Sequence, residues 1–164
     1  MTDESTRPTP TEKESTFLVT HVETDSAVIK DVNDGQVHTL SSNPDLSVDD
    51  AIEATVAPDP PMNVTYQAVE VTDRWELSIE RSEEPPTVQE RDLAADQPVG
   101  ELVREQRAGV GEIHVLTTPE ETTESTVTEV IEDREGTLSR AARLGVNRVE
   151  VRSEPGVVSV RYLP

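Results

Sequence analysis

Apolar and polar residues alternate in short runs between Phe17 and Arg81, which is the pattern of half-buried strands. Six strands are predicted, over residues 17–22, 26–32, 36–40, 51–57, 64–71 and 75–81. Asn33 and Gly35 lie between the second and third runs and favour a tight hairpin, because both tolerate positive φ. Parallel pairing needs long crossovers, and no helical stretch separates these runs. We therefore expect an antiparallel sheet rolled into a small barrel, OB-like or SH3-like.

The pattern becomes helical after the proline-containing segment 83–87. Thr87 and Glu90 have the spacing of a capping box, so a helix is predicted to begin there. Apolar positions continue this helix through Leu102 and Val103, with a kink or a second helix near Pro98. Gly109 is the predicted end.

The remaining residues predict a strand, helices and two further strands. Residues 112–117 are the first strand, and Thr118–Glu121 reads as a second capping box, opening a helix that runs to about Asp133. A short helix stops at Gly145, and Arg148–Val151 is predicted to run parallel to Ile113–Leu116. Pro155-Gly156 then turns a closing hairpin. This part is expected to be a small α/β unit with a mixed sheet.

These predictions divide the chain into a tail, a barrel and an α/β domain. Residues 1–15 are rich in Thr, Ser, Glu and Pro and are predicted to be a disordered acidic tail. Residues 16–82 form the barrel domain, 83–87 the linker and 88–164 the α/β domain. The expected fold class is α+β.

The amino-acid composition indicates the salt conditions to which the protein is adapted. The net charge is -20 at pH 7, and the 14 basic residues include only two lysines, Lys13 and Lys30. An acid-rich, lysine-poor and aromatic-poor chain is typical of proteins adapted to molar salt, where screening suppresses repulsion between carboxylates. With no membrane span and no signal segment, a cytoplasmic location is expected.

The sequence contains no recognisable motif for catalysis or metal binding. The chain has no cysteine, and His21, His38 and His114 lie in three different predicted strands without ligand-pair spacing. No nucleophile elbow is present, and the glycines at 109 and 111 precede a strand instead of opening a helix. We therefore predict no catalytic residue, no metal site and no cofactor.

Nucleic-acid binding through the barrel is the alternative to protein binding. Small barrels bind single strands with aromatic platforms in a positive groove. The barrel offers few basic residues, and Arg74 beside Trp75 is the pair that best fits such a surface. Acidic residues outnumber the basic ones, but molar salt reduces the counterion-release term, so acidity alone does not exclude binding. Core packing is the favoured role of Tyr66 and Trp75.

The last 25 residues contain five arginines and two glutamates. Arg140, Arg143 and Arg152 are the candidates there for an interaction surface. If Pro155-Gly156 is a two-residue turn, however, Val151 faces Val160 and Glu150 faces Arg161, which gives the arginines carboxylate neighbours. A charge-matched sheet is then the favoured interpretation.

Four stretches, DGQVHTLSSNP, APDPPM, GEIHVLTTP and ARLGVNRVEVR with GVVSVRYLP, resemble an uncharacterised family of haloarchaeal proteins. The resemblance implies an archaeal, salt-adapted cytoplasm and carries no catalytic or binding residue with it. The expected function is a non-catalytic interaction or adaptor module with a protein partner. The alternatives are the nucleic-acid binder and, more weakly, an enzyme with an inter-domain site.

Salt adaptation can be tested on the purified chain. Circular dichroism should show a better-folded protein in about 2 M KCl than in dilute buffer, because molar salt shortens the Debye length to roughly 3 Å. Equal folding in both solutions would contradict it.

Overall fold

The computed structural model describes residues 12–164. The chain divides into two compact units, the first ending at Glu76 and the second beginning at Leu77. Of the predicted tail, residues 1–11 lie outside the described residues. Its predicted end at residue 15 is too late, because the first strand already begins at Lys13.

Five strands form the first unit. They are β1 (Lys13–Glu23), β2 (Ser26–Asp31), β3 (Val37–Leu40), β4 (Asp50–Pro58) and β5 (Tyr66–Glu76). Their hydrogen-bonded order is β1-β2-β3-β5-β4, and β4 pairs with β1 again, so the strands form a closed ring. Inside it lies an apolar cluster that includes Phe17, Ile29, Leu40 and Ile52.

The ring is mixed, which corrects the prediction of a wholly antiparallel sheet. All its neighbours are antiparallel except β3 and β5, which pair in parallel at Leu40 and Tyr66. The reason is geometric. Strand direction cannot alternate around a ring with an odd number of strands, so one pair must be parallel.

The second unit has one sheet with helices on both faces. Its strands are β6 (Ser78–Arg81), β7 (Leu102–Gln106), β8 (Glu112–Thr117), β9 (Arg148–Glu154) and β10 (Val157–Leu163). The order is β6-β9-β10-β8-β7. Since β10 is antiparallel to both β8 and β9, these two run parallel to each other, as predicted.

The run 75–81 does not form one strand, and this moves the boundary between the units. Trp75 and Glu76 end β5, whereas Ser78–Arg81 pairs in parallel with β9 of the other sheet. The predicted linker at 83–87 is therefore too late. An alternating run of residues shows that a strand exists, but it carries no information about which sheet the strand joins.

The first helix, α1 (Val88–Ala95), begins with the predicted capping box. Thr87 Oγ1 accepts from the Glu90 amide, and the Glu90 carboxylate accepts from the Thr87 amide. The predicted helix beyond Pro98 is wrong, because residues 102–106 are strand β7. Gly100, at φ 95°, ends the preceding turn and donates its N–H to the Thr117 carbonyl.

The prediction of a second capping box is also wrong. Residues Glu120–Thr122 form a short 3-10 turn without a side-chain cap, and helix α2 (Thr123–Glu132) follows it. The Thr118 hydroxyl instead lies 3.1 Å from that of Thr123. Helix α3 (Arg134–Leu144) ends at Gly145, which is left-handed at φ 74°, as a glycine stop predicts.

The closing hairpin has the predicted register. Val151 faces Val160, Val149 faces Tyr162, and Glu150 faces Arg161. On the polar face, Glu150 Oε1 accepts from Arg152 Nε at 2.7 Å and from Arg161 Nη1 at 2.8 Å.

This ion-pair cluster extends beyond the hairpin. Arg152 also pairs with Glu84 at 2.8 Å, and Arg161 Nε lies 3.3 Å from the carboxylate of Glu90 at the start of α1. Burial alone would raise the pKa of Glu150, but Arg152 and Arg161 outweigh it and hold that pKa below its usual value. The cluster therefore ties α1 and the segment before it to the sheet.

Neutralising Glu150 tests this cluster. Glu150→Gln should lower the free energy of unfolding by about 2–4 kcal/mol, because two largely buried guanidinium groups lose their shared anion. Urea unfolding in molar KCl measures the change. The matched control is Glu80→Gln, whose partner Arg148 is 3.9 Å away on an exposed edge. The control should cost less than about 0.5 kcal/mol, and an equal loss in both variants would contradict the structural role.

Candidate interaction site

The loop between β4 and β5 is ordered by its own hydrogen bonds. Asp59 organises it: its N–H donates to the Thr65 carbonyl, its carbonyl accepts from the Asn63 amide, and its carboxylate accepts from the Thr65 hydroxyl at 2.8 Å. The cis peptide Pro60-Pro61 lies within this loop. The loop 59–65 therefore has a defined shape.

This loop presents two large apolar side chains to solvent. Met62 is 74% exposed and Val64 is 73% exposed, the highest values among the large apolar side chains of residues 12–164. Val69, on the adjoining strand, is also exposed. We call Met62, Val64 and Val69 the apolar tip. Single exposed apolar residues are ordinary, whereas Met62 and Val64 are two residues apart on one ordered loop.

Sequence reasoning did not identify the apolar tip. The signal was available, since Met62 and Val64 interrupt an otherwise proline-rich polar loop. An apolar residue in a loop can be buried beneath it or can point outward, however, and only the structure distinguishes the two.

Arg74 is held in place by the first unit itself. Arg74 Nη2 pairs with the buried carboxylate of Asp50 at 2.8 Å, and its Nη1 donates to the Asp45 carbonyl at 2.7 Å. The side chain thus fastens the segment before β4 to β5. Its neighbour Trp75 is half-buried. Arg74 therefore contributes to the internal contacts of the first unit.

The three C-terminal candidates lie in different environments. Arg152 belongs to the Glu150 cluster and its side chain is only 15% exposed. Arg143 is exposed in the last turn of α3, where a cation is favourable. Arg140 is half-buried and lines a cavity of about 420 Å³ in the second unit. The three therefore do not form one arginine surface.

Lys13 is the centre of a polar network in the ring. Its Nζ lies 2.9 Å from each of Asp31 Oδ2, Asp34 Oδ2 and His38 Nε2. Burial lowers the pKa of His38, and the positive charge of Lys13 lowers it further. Burial would raise the pKa of Asp31, but hydrogen bonds from Lys13 and its other donors bring it below the usual value. The network thus joins β1 to the β2–β3 hairpin.

Neither a metal-binding cluster nor a helix that could cross a membrane occurs among the described residues. No group of three or more His, Cys, Asp or Glu side chains within residues 12–164 is arranged to hold a metal ion. In the same range, no helix has the length and apolar character to cross a bilayer.

The structure defines a protein with two mixed sheets, most of whose regular elements are strands. A family model described as a family of unknown function, DUF5812, matches residues 13–153, and the chain belongs to this family. No curated protein and no solved structure matches the chain. The resemblance to an uncharacterised family is thereby confirmed, whereas the haloarchaeal origin stays a prediction.

The buried histidines predict a pH dependence of stability. The pKa of His38 is lowered by burial and Lys13, and that of His114 by burial together with Arg140 and Arg104, against the opposing effect of Glu112. The unfolded chain then binds protons below about pH 6.5 that the folded chain does not bind. Stability should be fully present above that pH and should fall as the pH drops towards 5.

Urea unfolding between pH 7 and pH 5 at constant KCl measures this slope. His38→Gln and His114→Gln should each reduce the slope, and the double variant should reduce it most, whatever their effect on stability at pH 7. An unchanged slope in the double variant would show that other groups cause the loss.

Proposed function

We propose that this protein is a non-catalytic interaction module of a salt-adapted archaeal cytoplasm, and that the apolar tip of its first unit binds a protein partner. The exposure of Met62 and Val64 on an ordered loop carries the proposal. Because the loop is already ordered, binding would cost little additional conformational entropy.

In this proposal, the five-stranded ring is interpreted as an OB-like barrel. The order β1-β2-β3-β5-β4 with a parallel β3–β5 pair supports the OB-like alternative over the SH3-like one. In OB-like barrels, the loop between the fourth and fifth strands belongs to the ligand-binding side. Met62 and Val64 of the apolar tip are on the corresponding loop.

The charges of the first unit favour a protein over a nucleic acid. Exposed carboxylates on β4 and β5 include Glu53, Glu70 and Asp73. Two cations of this unit, Lys13 and Arg74, are held by carboxylates, which reduces what is available to phosphates. Nucleic-acid binding therefore remains the second candidate.

Molar salt also favours apolar recognition. Screening over roughly 3 Å weakens ionic contacts between exposed groups, whereas salt does not screen the burial of apolar surface. A partner with an apolar pocket that accepts Met62 and Val64 fits these conditions.

Affinity purification from native cells in about 2 M KCl, with and without nuclease, tests the proposal. A protein should be recovered by the wild-type chain in both treatments. The double substitution Met62→Asp and Val64→Asp should reduce its recovery by about tenfold or more, as expected when central anchors are lost.

The matched control is Val88→Asp with Val99→Asp, which changes two exposed valines of the second unit. This control should leave recovery unchanged. Recovery of RNA or DNA alone, or an equal loss in the control, would overturn the proposal.

A further inference from the structure

The second unit contains a cavity that the interaction module does not use. It has a volume of about 420 Å³ and lies where β7, β8 and β10 meet helices α2 and α3. This volume is within the roughly 300–1,000 Å³ of small-molecule sites. Its apolar lining residues are Leu102, Leu116, Val130, Val160 and Tyr162.

Two arginines also line this cavity, Arg104 from β7 and Arg140 from α3. They differ from other arginines of the described chain, most of which have a carboxylate partner. Ion pairs are made by Arg74, Arg81, Arg91, Arg148, Arg152 and Arg161. Within residues 12–164, neither the Arg104 side chain nor the Arg140 side chain makes a hydrogen bond or an ion pair.

The absence of such partners is unexpected from the composition. The chain has 34 acidic and 14 basic residues, so carboxylates are in excess. Glu129 and Asp133 even line the same cavity, yet they do not pair with the two guanidinium groups. Both guanidinium groups are therefore available for charge-assisted hydrogen bonds to an anion from outside the chain.

Both positive charges act on the same pair of rings. The centroids of His114 and Tyr162 lie 4.9 Å apart, and both rings line the cavity. The charges of Arg140 and Arg104 favour the neutral form of His114 and the ionised form of Tyr162. The guanidinium groups therefore lie near one part of the cavity. His114 is fixed there because its Nε2 lies 2.8 Å from the Glu112 carboxylate.

We propose that this cavity binds a small organic carboxylate with an apolar body. The carboxylate would pair with Arg104 and Arg140, because a guanidinium donates two parallel hydrogen bonds to a carboxylate. The apolar body would contact Leu102, Leu116 and the ring of Tyr162. Glu129 and Asp133 repel further negative charge, so the site selects a monoanion over a polyphosphate.

This site belongs to the second unit, and the proposal does not depend on the apolar tip of the first. Loss of partner binding in the Met62 and Val64 variant would leave it untouched.

The test uses 3-phenylpropionate and its uncharged analogue, 3-phenylpropan-1-ol, titrated into the full chain by two-dimensional NMR. The carboxylate should shift the amide signals of Leu102, Leu116 and Thr137 and bind about tenfold tighter than the alcohol. Raising KCl from about 0.5 M to about 2 M should weaken the binding of the carboxylate and leave the binding of the alcohol unchanged.

Arg104→Gln and Arg140→Gln should each weaken carboxylate binding by about fivefold to tenfold and leave the alcohol unchanged. Arg107→Gln is the matched control, since Arg107 donates to the Val110 carbonyl and does not line the cavity. The dispersion of each variant's spectrum confirms that it is folded. Equal affinity for acid and alcohol, no shift at the cavity, or the same loss in the control would overturn the proposal.

Discussion

The architecture of the second unit depends on one carboxylate that is shared between two arginines. Glu150 is 12% exposed and holds Arg152 and Arg161 on the polar face of the closing hairpin. The two guanidinium groups would repel each other without the anion between them, because their other partners, Glu84 and Glu90, lie outside the hairpin. Arg161 also reaches Glu90 in α1, so the same cluster ties that helix to the sheet. The opposite face of the hairpin then buries Val149, Val151 and Val160.

In the first unit, too, basic side chains are paired with carboxylates. Lys13 is shared by two aspartates and His38, and Arg74 is taken up by Asp50. In a chain of net charge -20, a cation beside a carboxylate relieves more repulsion than it would in a neutral protein. Most basic residues therefore join strands and helices together, and an arginine outside these pairs is informative. This reasoning separates Arg104 and Arg140 from Arg152, which the sequence alone placed in one group with Arg140.

The sequence predicted the strands of the first unit and the closing hairpin because their information is local. Alternation defines a strand, and Pro155-Gly156 sets the turn that brings Glu150 opposite Arg161. The sheet to which Ser78–Arg81 belongs could not be predicted from local sequence, because the partner strand β9 is about 70 residues away in the chain. The same limit made β7 look helical, since its pairing with β8 and the turn at Gly100 are tertiary features. The apolar tip and the cavity were missed because local pattern does not determine exposure.

The two candidate sites differ in the force that would act in molar salt. Apolar burial at Met62 and Val64 is not screened, so its strength does not depend on a local excess of charge. A carboxylate between Arg104 and Arg140 would be exposed to competition from chloride unless the cavity removes water and holds both donors in place. Half-burial of Arg140 and the neighbouring rings of His114 and Tyr162 supply such an environment, in which a charge-assisted hydrogen bond is stronger than at the surface. A cavity that holds its donors in place therefore helps an ionic site to work in high salt, and both arginines line such a cavity, Arg140 half-buried and Arg104 exposed at its edge.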